Sequence, residues 1–407
     1  MKPLGPIPAD FAADEDGGLL IGRWRATTLA HEQGPTPLFA YDRSIVAARV
    51  ERFRRAMPES VRLHYAVKAN PFAPLLEFLS PLVDGFDIAS TGELGRLAGT
   101  GTCDISFAGP GKSDDDLEEA VALGITINVE SESEALRAIE RGRAMDSRAR
   151  LAFRVNPPFG LKGSGMKMGG LASPFGIDHD RVPAFARRLM AEGADWRGLH
   201  IYAGSQSLSA DAIIDAQRAT VALAADIASE VGATPPEVNL GGGFGIPYFA
   251  KDEPLDLESM GAALAKTLSE RPNILGDTRF IIELGRWLVG EAGVYLTRIV
   301  DRKQSRGKTF LVTDGGLHHM LAASGNFGQL LRRNYPVAIA NRFAAEAAEQ
   351  QTIVGCLCTP LDLLADEALL PSGEVGDLVA IFCAGAYGLA ASPTGFLSQP
   401  AARETLV

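Results

Sequence analysis

The stretch VRLHYAVKAN, residues 61–70, determines how the rest of the chain is interpreted. Its first seven residues are mostly of types that favour a β-strand, and the KANP turn that follows ends the strand. Lys68 lies at this strand end, where burial of a charged ammonium group costs free energy. A lysine just beyond a strand is also consistent with an ordinary exposed position, and the segment alone leaves both interpretations open.

Similar segments recur along the next two hundred residues or so, and each ends near Gly, Pro, Asn or Ser. The eight predicted strands are residues 61–70, 85–90, 104–109, 125–130, 150–157, 197–204, 237–245 and 279–286. Helical patterns separate them, including one that opens on Ser113 and one with Ser131 and Glu134 at capping-box spacing. Eight β-α units in about 230 residues predict a closed parallel (β/α)8 barrel of the α/β class. An open doubly wound sheet is the alternative layout.

The pattern changes after residue 290, where strand-like segments follow one another without helices between them. They are GEAGVYLTRIVDRKQSRGKTFLVTDGG, QTIVGCLC and GDLVAIFCAGAY. Near the N-terminus, TPLFAYD is also strand-like. We therefore predict a barrel over residues 46–290, a C-terminal β-rich domain over residues 291–407, and an N-terminal segment, residues 1–45, that joins the β-rich domain.

Composition excludes several functional classes. The chain has 407 residues, is 46% hydrophobic and 22% charged, and carries a formal net charge of −11, which argues against a nucleic-acid or anionic membrane surface. It contains neither a membrane-length apolar run nor a segment resembling a signal peptide. Its four cysteines are too few for a disulfide framework, and adjacent His318 and His319 do not by themselves make a metal site. These features predict a cytoplasmic protein without a metal.

Polar residues gather where the predicted strands end, which is where barrels of this kind carry their chemistry. They are Lys68, Asp87, Ser90, Glu130, Arg154, Asn156, His200, Tyr202, Ser205, Gly241, Gly242, Gly243, Glu283 and Arg286. Individually, the glycines are consistent with a tight turn, and Glu283 with Arg286 is consistent with a salt bridge. Together they match one ligand. A lysine can bind an aldehyde, glycine N–H groups with an arginine can hold a phosphate, and a carboxylate can pair with a ring nitrogen, which is the set that pyridoxal phosphate requires.

Six ordered motifs, HYAVKAN, GFDIAS, GGGFG, ELGR, CTPLD and GAY, resemble those of the ornithine/diaminopimelate decarboxylase family of fold-type III pyridoxal-phosphate enzymes. The resemblance implies that Lys68 binds the cofactor covalently and that Glu283 faces its ring nitrogen. It implies cofactor contacts, mainly to the phosphate, for Asp87, Ser205, Gly241, Gly242, Gly243, Arg286 and Tyr387. It further implies that Cys358 protonates the product carbanion from across the interface of a homodimer with shared active sites.

The chain departs from the family pattern at three places. Tyr202 stands where the family usually has a histidine that stacks on the cofactor, and His200 lies two residues earlier on the same predicted strand face. Thr359 stands where the family usually has an acidic residue that recognises a distal amine. The segment GSGMKMGGLASPFGID, residues 163–178, is longer than its usual counterpart. Arg154, Arg332, Arg333 and Thr359 are the candidate substrate-binding residues, although Arg332 and Arg333 are equally consistent with an exposed basic loop.

The motif combination resembles a branch whose members decarboxylate amino acids that are tethered to an acyl carrier protein or otherwise conjugated. We therefore expect a decarboxylase of a carrier-linked or conjugated amino acid. Decarboxylation of free diaminopimelate is the alternative, and a non-catalytic pyridoxal-phosphate-binding or regulatory homologue is a second. A racemase is disfavoured, because the resemblance would then require an arginine in place of Glu283.

Overall fold

The computed structural model of the chain describes residues 2–101, 104–163, 165–329 and 331–407, and at residues 166 and 167 it describes the backbone alone. Backbone contacts divide the chain into two compact units. The barrel unit contains residues 50–245 and 254–284, and the β-unit contains residues 1–49, 246–253 and 285–407. The domain boundaries predicted at residues 45 and 290 stay a prediction, and the assignment of residues 246–253 to the β-unit has no counterpart in it.

The barrel unit contains a closed sheet of eight parallel strands, in the order in which they occur in the chain. Strands one to eight are Val61–Ala66, Gly85–Ile88, Asp104–Phe107, Thr126–Val129, Arg150–Asn156, Asp195–Ile201, Glu237–Asn239 and Arg279–Leu284. Strand eight pairs in parallel with strand one, so the sheet closes. The predicted barrel is confirmed and the open doubly wound alternative is wrong, because an open sheet would leave strands one and eight apart.

Helices connect the barrel strands, and their ends follow local sequence signals. They are Ala73–Leu79, Thr91–Arg96, Asp114–Ala122, Glu132–Ala144, Val182–Ala191, Ala210–Val231 and Leu257–Ser269. Helix Arg43–Ala56 precedes strand one. Helix Asp114–Ala122 begins with a reciprocal capping box between Ser113 and Asp116. Helix Ala210–Val231 begins with a Ser209 cap and ends at Gly232, whose φ of 77° is in the left-handed region that glycine adopts readily. Two short strands, Met166–Lys167 and Gly204–Ser205, pair with each other in the loops that follow strands five and six, and Ile177–Asp178 pairs in parallel with the end of strand five.

The β-unit is built on one eight-stranded sheet. Its strands are Leu38–Tyr41, Gly293–Ser305, Lys308–Thr313, Val337–Ile339, Glu349–Val354, Leu363–Leu370, Leu378–Ile381 and Arg403–Leu406. The N-terminal strand Leu38–Tyr41 pairs with Gly293–Ser305 on one side and with Arg403–Leu406 on the other. The unit also contains the helices Ala26–Glu32 and Arg286–Val289 and the strand pair Leu20–Ile21 with Trp24–Arg25. None of the described helices of either unit is long and apolar enough to cross a membrane.

Candidate active site

Lys68 lies just beyond the first barrel strand, in the single helical turn Val67–Ala69. Its side chain is 43% exposed, and Nζ lies 3.4 Å from Oε1 of Glu283. The strand pairing explains this contact, because strand eight lies beside strand one and places Glu283 opposite His64. The lysine therefore projects from the rim of the barrel, with part of its surface accessible to a ligand.

Glu283 is buried, and the neighbouring side chains keep its carboxylate ionised. Its Oε2 atom accepts a hydrogen bond from Nε2 of His200 at 3.0 Å. Burial by itself would raise the pKa of Glu283, but Lys68, His200 and Arg154 outweigh burial and hold the pKa well below its usual range. The carboxylate is therefore ionised at neutral pH, as a partner for a protonated ring nitrogen must be.

His200 and Tyr202, which were predicted to share a strand face, have separate contacts. His200 lies within strand six and bonds Glu283. Tyr202 lies just beyond the strand, and the centre of its ring is 5.5 Å from Nζ of Lys68, within reach of a cation–π interaction. The phenol ring therefore lies over the lysine, and the imidazole orients the carboxylate.

The three glycines after strand seven approach the barrel backbone closely. A Cβ atom would lie 2.7 Å from the carbonyl oxygen of Ile201 at Gly241, 1.8 Å from that of Glu283 at Gly242, and 2.3 Å from that of Gly204 at Gly243. Close packing thus requires glycine at all three positions. In the part of the chain that the structure describes, the N–H groups of Gly242 and Gly243 donate to no protein acceptor. Two backbone donors remain available for an anion.

A pocket of about 220 Å³ opens beside Lys68 at the carboxyl end of the barrel. It is lined by Lys68, Ala89, Ala108, Gly109, Pro110, Arg154, Met168, Phe175, His200, Tyr202 and Glu283. Of these lining residues, Glu283 alone carries a carboxylate, and that group is already paired with Lys68 and His200. The pocket therefore offers cations and apolar surface to a ligand, and no spare anion.

Arg154 forms the charged wall of this pocket, and Phe175 lies against it. Nη1 of Arg154 donates to Oε1 of Glu130 at 2.8 Å, and its Cζ atom is 4.9 Å from the centre of the Phe175 ring. Arg154 and Glu130 were predicted to lie at strand ends, whereas no role was predicted for Phe175. The segment that contains Phe175 departs from the family pattern, and that departure was the available signal.

A buried ion pair supports the neighbouring loop. Nζ of Lys112 lies 2.6 Å from Oε1 of Glu134, and both side chains are nearly inaccessible. Burial lowers the pKa of Lys112 despite the carboxylate beside it. The capping box predicted from Ser131 and Glu134 is half correct. Ser131 accepts from the N–H of Glu134, whereas the Glu134 carboxylate binds Lys112 and the N–H of Glu130 instead of returning to Ser131.

Asp87 and Ser205 lie at strand ends in the barrel unit, and their contacts with the cofactor stay predictions. Asp87 is buried and accepts a hydrogen bond from the hydroxyl of Ser106. Nδ1 of His64 lies 3.6 Å from Oδ2 of Asp87. Burial opposes protonation of His64, but the Asp87 carboxylate outweighs it and raises the pKa of the histidine. Ser205 belongs to the short strand that pairs with Met166–Lys167, and its carbonyl accepts from the N–H of Gly165 at 2.9 Å.

Within the β-unit, Arg286 is enclosed by tyrosines. Nη1 donates to the hydroxyl of Tyr248 at 2.7 Å, and Cζ lies 4.6 Å from the ring centre of Tyr387. Burial opposes the charge of Arg286, but the tyrosines outweigh it and raise the arginine pKa. Burial also raises the pKa of Tyr248 to about 12, so its hydroxyl stays protonated. Sequence reasoning missed Tyr248. The roles of Arg286 and Tyr387 as phosphate contacts stay predictions.

Cys358 is exposed in the β-unit, on a loop that Asp362 organises. The Asp362 carboxylate accepts the N–H groups of Leu317 at 2.6 Å and Leu357 at 2.8 Å. Thr359, next to the cysteine, is partly exposed. The loop therefore presents both side chains at a surface, and their predicted roles in protonation and specificity stay predictions.

The two arginines Arg332 and Arg333, which precede this loop in the chain, have different surroundings. The guanidinium of Arg333 lies 3.6 Å from the centre of the Phe249 ring, also in the β-unit. Arg332 is half-buried, and burial lowers its pKa. Neither observation identifies a ligand, so substrate binding by Arg332 and Arg333 stays a prediction.

The barrel, the rim lysine beside an ionised buried carboxylate, and the glycine N–H groups without an acceptor among the described residues together define a pyridoxal-phosphate enzyme. The donor set fits the cofactor, because an accessible amine, an ionised acid and unpaired backbone donors occur in one unit. The chain belongs to the pyridoxal-dependent decarboxylases, since the profile of that family's pyridoxal-binding domain matches residues 43–290. It is accordingly a decarboxylase, and its cofactor is pyridoxal 5′-phosphate.

Individual relatives agree with this assignment. The chain is 36% identical to the L-glutamyl-[BtrI acyl-carrier protein] decarboxylase of Niallia circulans, over 91% of this chain and 88% of that protein. It is 33% identical to the diaminopimelate decarboxylase of Archaeoglobus fulgidus, over 96% of this chain and 92% of that one. The crystal structure of diaminopimelate decarboxylase from M. jannaschii in complex with L-lysine superposes with a TM-score of 0.86, at 25% identity, covering 98% of this chain and 93% of that one.

Proposed function

We propose that this enzyme removes the α-carboxylate of an amino acid whose side chain is conjugated, as in a glutamyl group tethered to an acyl carrier protein. The lining of the Lys68 pocket is the observation that supports this proposal. Arg154 is the charged group that remains for the substrate's side chain, and Met168 and Phe175 add apolar surface. A carbonyl or carboxylate at the end of that side chain suits such walls, because the guanidinium donates hydrogen bonds and accepts none.

Free diaminopimelate is the second candidate substrate. Its distal carbon carries an ammonium as well as a carboxylate, and the ammonium needs an acceptor to offset its desolvation. In the described lining of the pocket, Glu283 is the one carboxylate, and Lys68 and His200 already contact it. Thr359 offers a hydroxyl where the family usually has an acid. Similarity to the Archaeoglobus fulgidus enzyme keeps this candidate in consideration.

The residues have distinct roles in the proposed reaction. Bound pyridoxal phosphate supplies an electron sink for the electron pair left at the α-carbon when CO₂ departs. Lys68 would hold its aldehyde carbon, Glu283 its ring nitrogen, and Gly241–Gly243 its phosphate. Glu283 would keep a proton on that ring nitrogen, because its own low pKa leaves the carboxylate ionised. His200 holds Oε2 of that carboxylate, so that Oε1 remains directed to the side of Lys68.

A proton must return to the α-carbon after CO₂ has left, and Cys358 and Lys68 are the proposed donors. Cys358 is exposed, as a residue that acts in a second subunit must be before assembly. We include a homodimer with shared active sites in the proposal, together with a cytoplasmic location. Three cysteines that the structure describes, Cys356, Cys358 and Cys383, are free thiols, which suits a reducing compartment, and Cys103 lies outside the described residues.

The test is CO₂ release by the cofactor-loaded enzyme from three substrates: glutamate thioester-linked to a carrier protein, free glutamate and free diaminopimelate. We expect release from the tethered substrate. Glu283→Gln should lower its rate at least about tenfold, since each pKa unit of ring-nitrogen stabilisation is worth about 1.4 kcal/mol. The control Glu132→Gln changes a partly exposed carboxylate that pairs with Arg181, and it should leave the rate unchanged. Release from free diaminopimelate alone would contradict the conjugated-substrate proposal.

A further inference from the structure

Glu130, at the end of barrel strand four, connects three parts of the pocket wall with one carboxylate. Oε1 accepts from the N–H of Gly109 at 2.6 Å and from Nη1 of Arg154 at 2.8 Å. Oε2 accepts from the N–H of Gly176 at 3.2 Å. The side chain is buried, so water does not compete strongly for these hydrogen bonds. Both oxygens are thus occupied by donors from three separate segments.

One of these segments is the strap, which we define as residues 157–163 and 165–178. It contains no helix, and backbone contacts hold it at its middle, where Met166–Lys167 pairs with Gly204–Ser205. The N–H of Met168 donates to the carbonyl of Ala203 at 3.3 Å. The strap supplies Met168 and Phe175 to the pocket lining. Its position therefore determines the shape of the wall that a substrate meets.

The carboxyl-terminal end of the strap is joined closely to the strand that carries Arg154. Gly176 has a φ of 77°, and a Cβ atom there would lie 2.8 Å from the carbonyl oxygen of Arg154. Phe175, the preceding residue, stacks on the Arg154 guanidinium. A displacement of the strap would therefore move the ring that covers the guanidinium. Glu130 binds both partners, so it couples the position of the strap to the orientation of the arginine.

We propose that Glu130 is a positioning residue that joins the strap and Arg154 into one wall, and that this wall directs the Arg154 guanidinium at a carbonyl or carboxylate on the substrate's side chain. The second half of this inference rests on the proposed function. Glu130 touches neither cofactor nor substrate in this arrangement. It acts by holding one guanidinium nitrogen, which leaves the other donors of Arg154 for the ligand.

The variant Glu130→Gln keeps the shape of the side chain but turns one acceptor oxygen into an N–H₂ donor, which faces either Arg154 or the N–H of Gly176. Glu132→Gln is the matched control, because that carboxylate lies two residues away and pairs with the exposed Arg181. Phe175→Ala is a second variant that alters the wall from a partly exposed position and leaves Glu130 unchanged. If Glu130→Gln does not fold, Phe175→Ala still tests whether the strap and Arg154 form one wall.

The first measurement is the rate at which trypsin cleaves the holoenzyme after Lys162, an exposed residue of the strap. Glu130→Gln and Phe175→Ala should raise this rate about tenfold or more, as expected for the loss of a hydrogen bond to a charged group or of a cation–π contact. Glu132→Gln should match the wild type. Equal cleavage rates in all four proteins would overturn the role of Glu130 in holding the strap.

The second measurement is steady-state kinetics with glutamate thioester-linked to a carrier protein. Glu130→Gln should raise KM about tenfold and change kcat less than about threefold, because Lys68, Glu283 and the contacts of Glu283 with Lys68 and His200 are unchanged. A fall in kcat at unchanged KM would overturn the role assigned to Arg154. If the wild-type enzyme does not use this substrate, the proposed function fails, and the trypsin comparison still decides whether Glu130 holds the strap.

Discussion

Replacement of Gly242 by alanine tests whether the glycines serve the packing of the barrel as well as the ligand. The new Cβ atom would lie 1.8 Å from the carbonyl oxygen of Glu283, whereas real Cβ atoms stay at least 3.0 Å from such an atom. Strand eight and the glycine loop must therefore separate by about 1.2 Å, the difference between these distances. Overpacking of this kind costs about 1–3 kcal/mol, and a shift of about 1 Å at a catalytic group lowers the rate about a hundredfold.

The assay compares urea unfolding of the cofactor-free protein with kcat/KM of the holoenzyme. Gly242→Ala should lose stability even without cofactor, because the collision is with protein backbone. Gly95→Ala is the control, since no atom outside its own helix lies within 4 Å of a Cβ atom there, and helix propensity makes it neutral or stabilising by up to about 1 kcal/mol. An unchanged unfolding free energy of cofactor-free Gly242→Ala, with weakened cofactor binding alone, would refute the packing argument.

Three further expectations follow from the barrel unit. Lys112→Met should lower the free energy of unfolding, measured in urea, by about 3–5 kcal/mol, because it leaves Glu134 buried without its cation. Arg181→Met, at the surface, should lower it by less than about 1 kcal/mol. Equal losses in the two variants would contradict the burial argument. Because the pKa of His64 is raised in the folded state, the wild type should be more stable than His64→Gln, with the full difference present below pH ~6.5. This difference in the free energy of unfolding should shrink as the pH rises through the folded-state pKa, and unfolding curves measured across pH check it. A stability difference that grows with pH would show that folding lowers the pKa of His64 and would contradict this prediction. Tyr202→Phe keeps the ring over the lysine and should change kcat/KM little, whereas Tyr202→Leu should lower kcat/KM about two- to thirtyfold. Equal effects of the two variants would show that the hydroxyl of Tyr202, and not its ring, contributes to the rate.

Most of the barrel could be predicted because its strands are short apolar runs with regular spacing and helical segments between them. The strand Leu363–Leu370 was missed because it contains Asp366 and Glu367 and has few β-branched residues. Its pairing is also irregular, with register shifts against Glu349–Val354. Such a strand is stabilised by its neighbours in the sheet, and those neighbours are not local in sequence. The assignment of residues 246–253 to the β-unit could not be predicted for the same reason, because it depends on contacts with residues distant in sequence.

Some contacts of the candidate site could likewise be predicted from the sequence, and others could not. Lys68 and Glu283 could be found from the sequence because parallel strands bring their carboxyl ends to one rim. The contact between His200 and Glu283 required knowledge of which side-chain atoms meet, and alternation along a strand predicts the face alone. Tyr248 is 38 residues from Arg286, and nothing in the spacing of the two residues indicates their hydrogen bond. Pairwise contacts at this separation depend on the folded backbone.

The position of strand Leu38–Tyr41 between Gly293–Ser305 and Arg403–Leu406 has a consequence for biosynthesis of the protein. All four of its residues are buried in the finished sheet. At about 5–20 residues per second, a ribosome needs roughly 20–70 s to proceed from this strand to its last partner. All eight barrel strands are translated within that interval. The nascent chain thus carries an apolar, unpaired strand for most of its synthesis, and the β-unit cannot complete its sheet until the last residues have been translated.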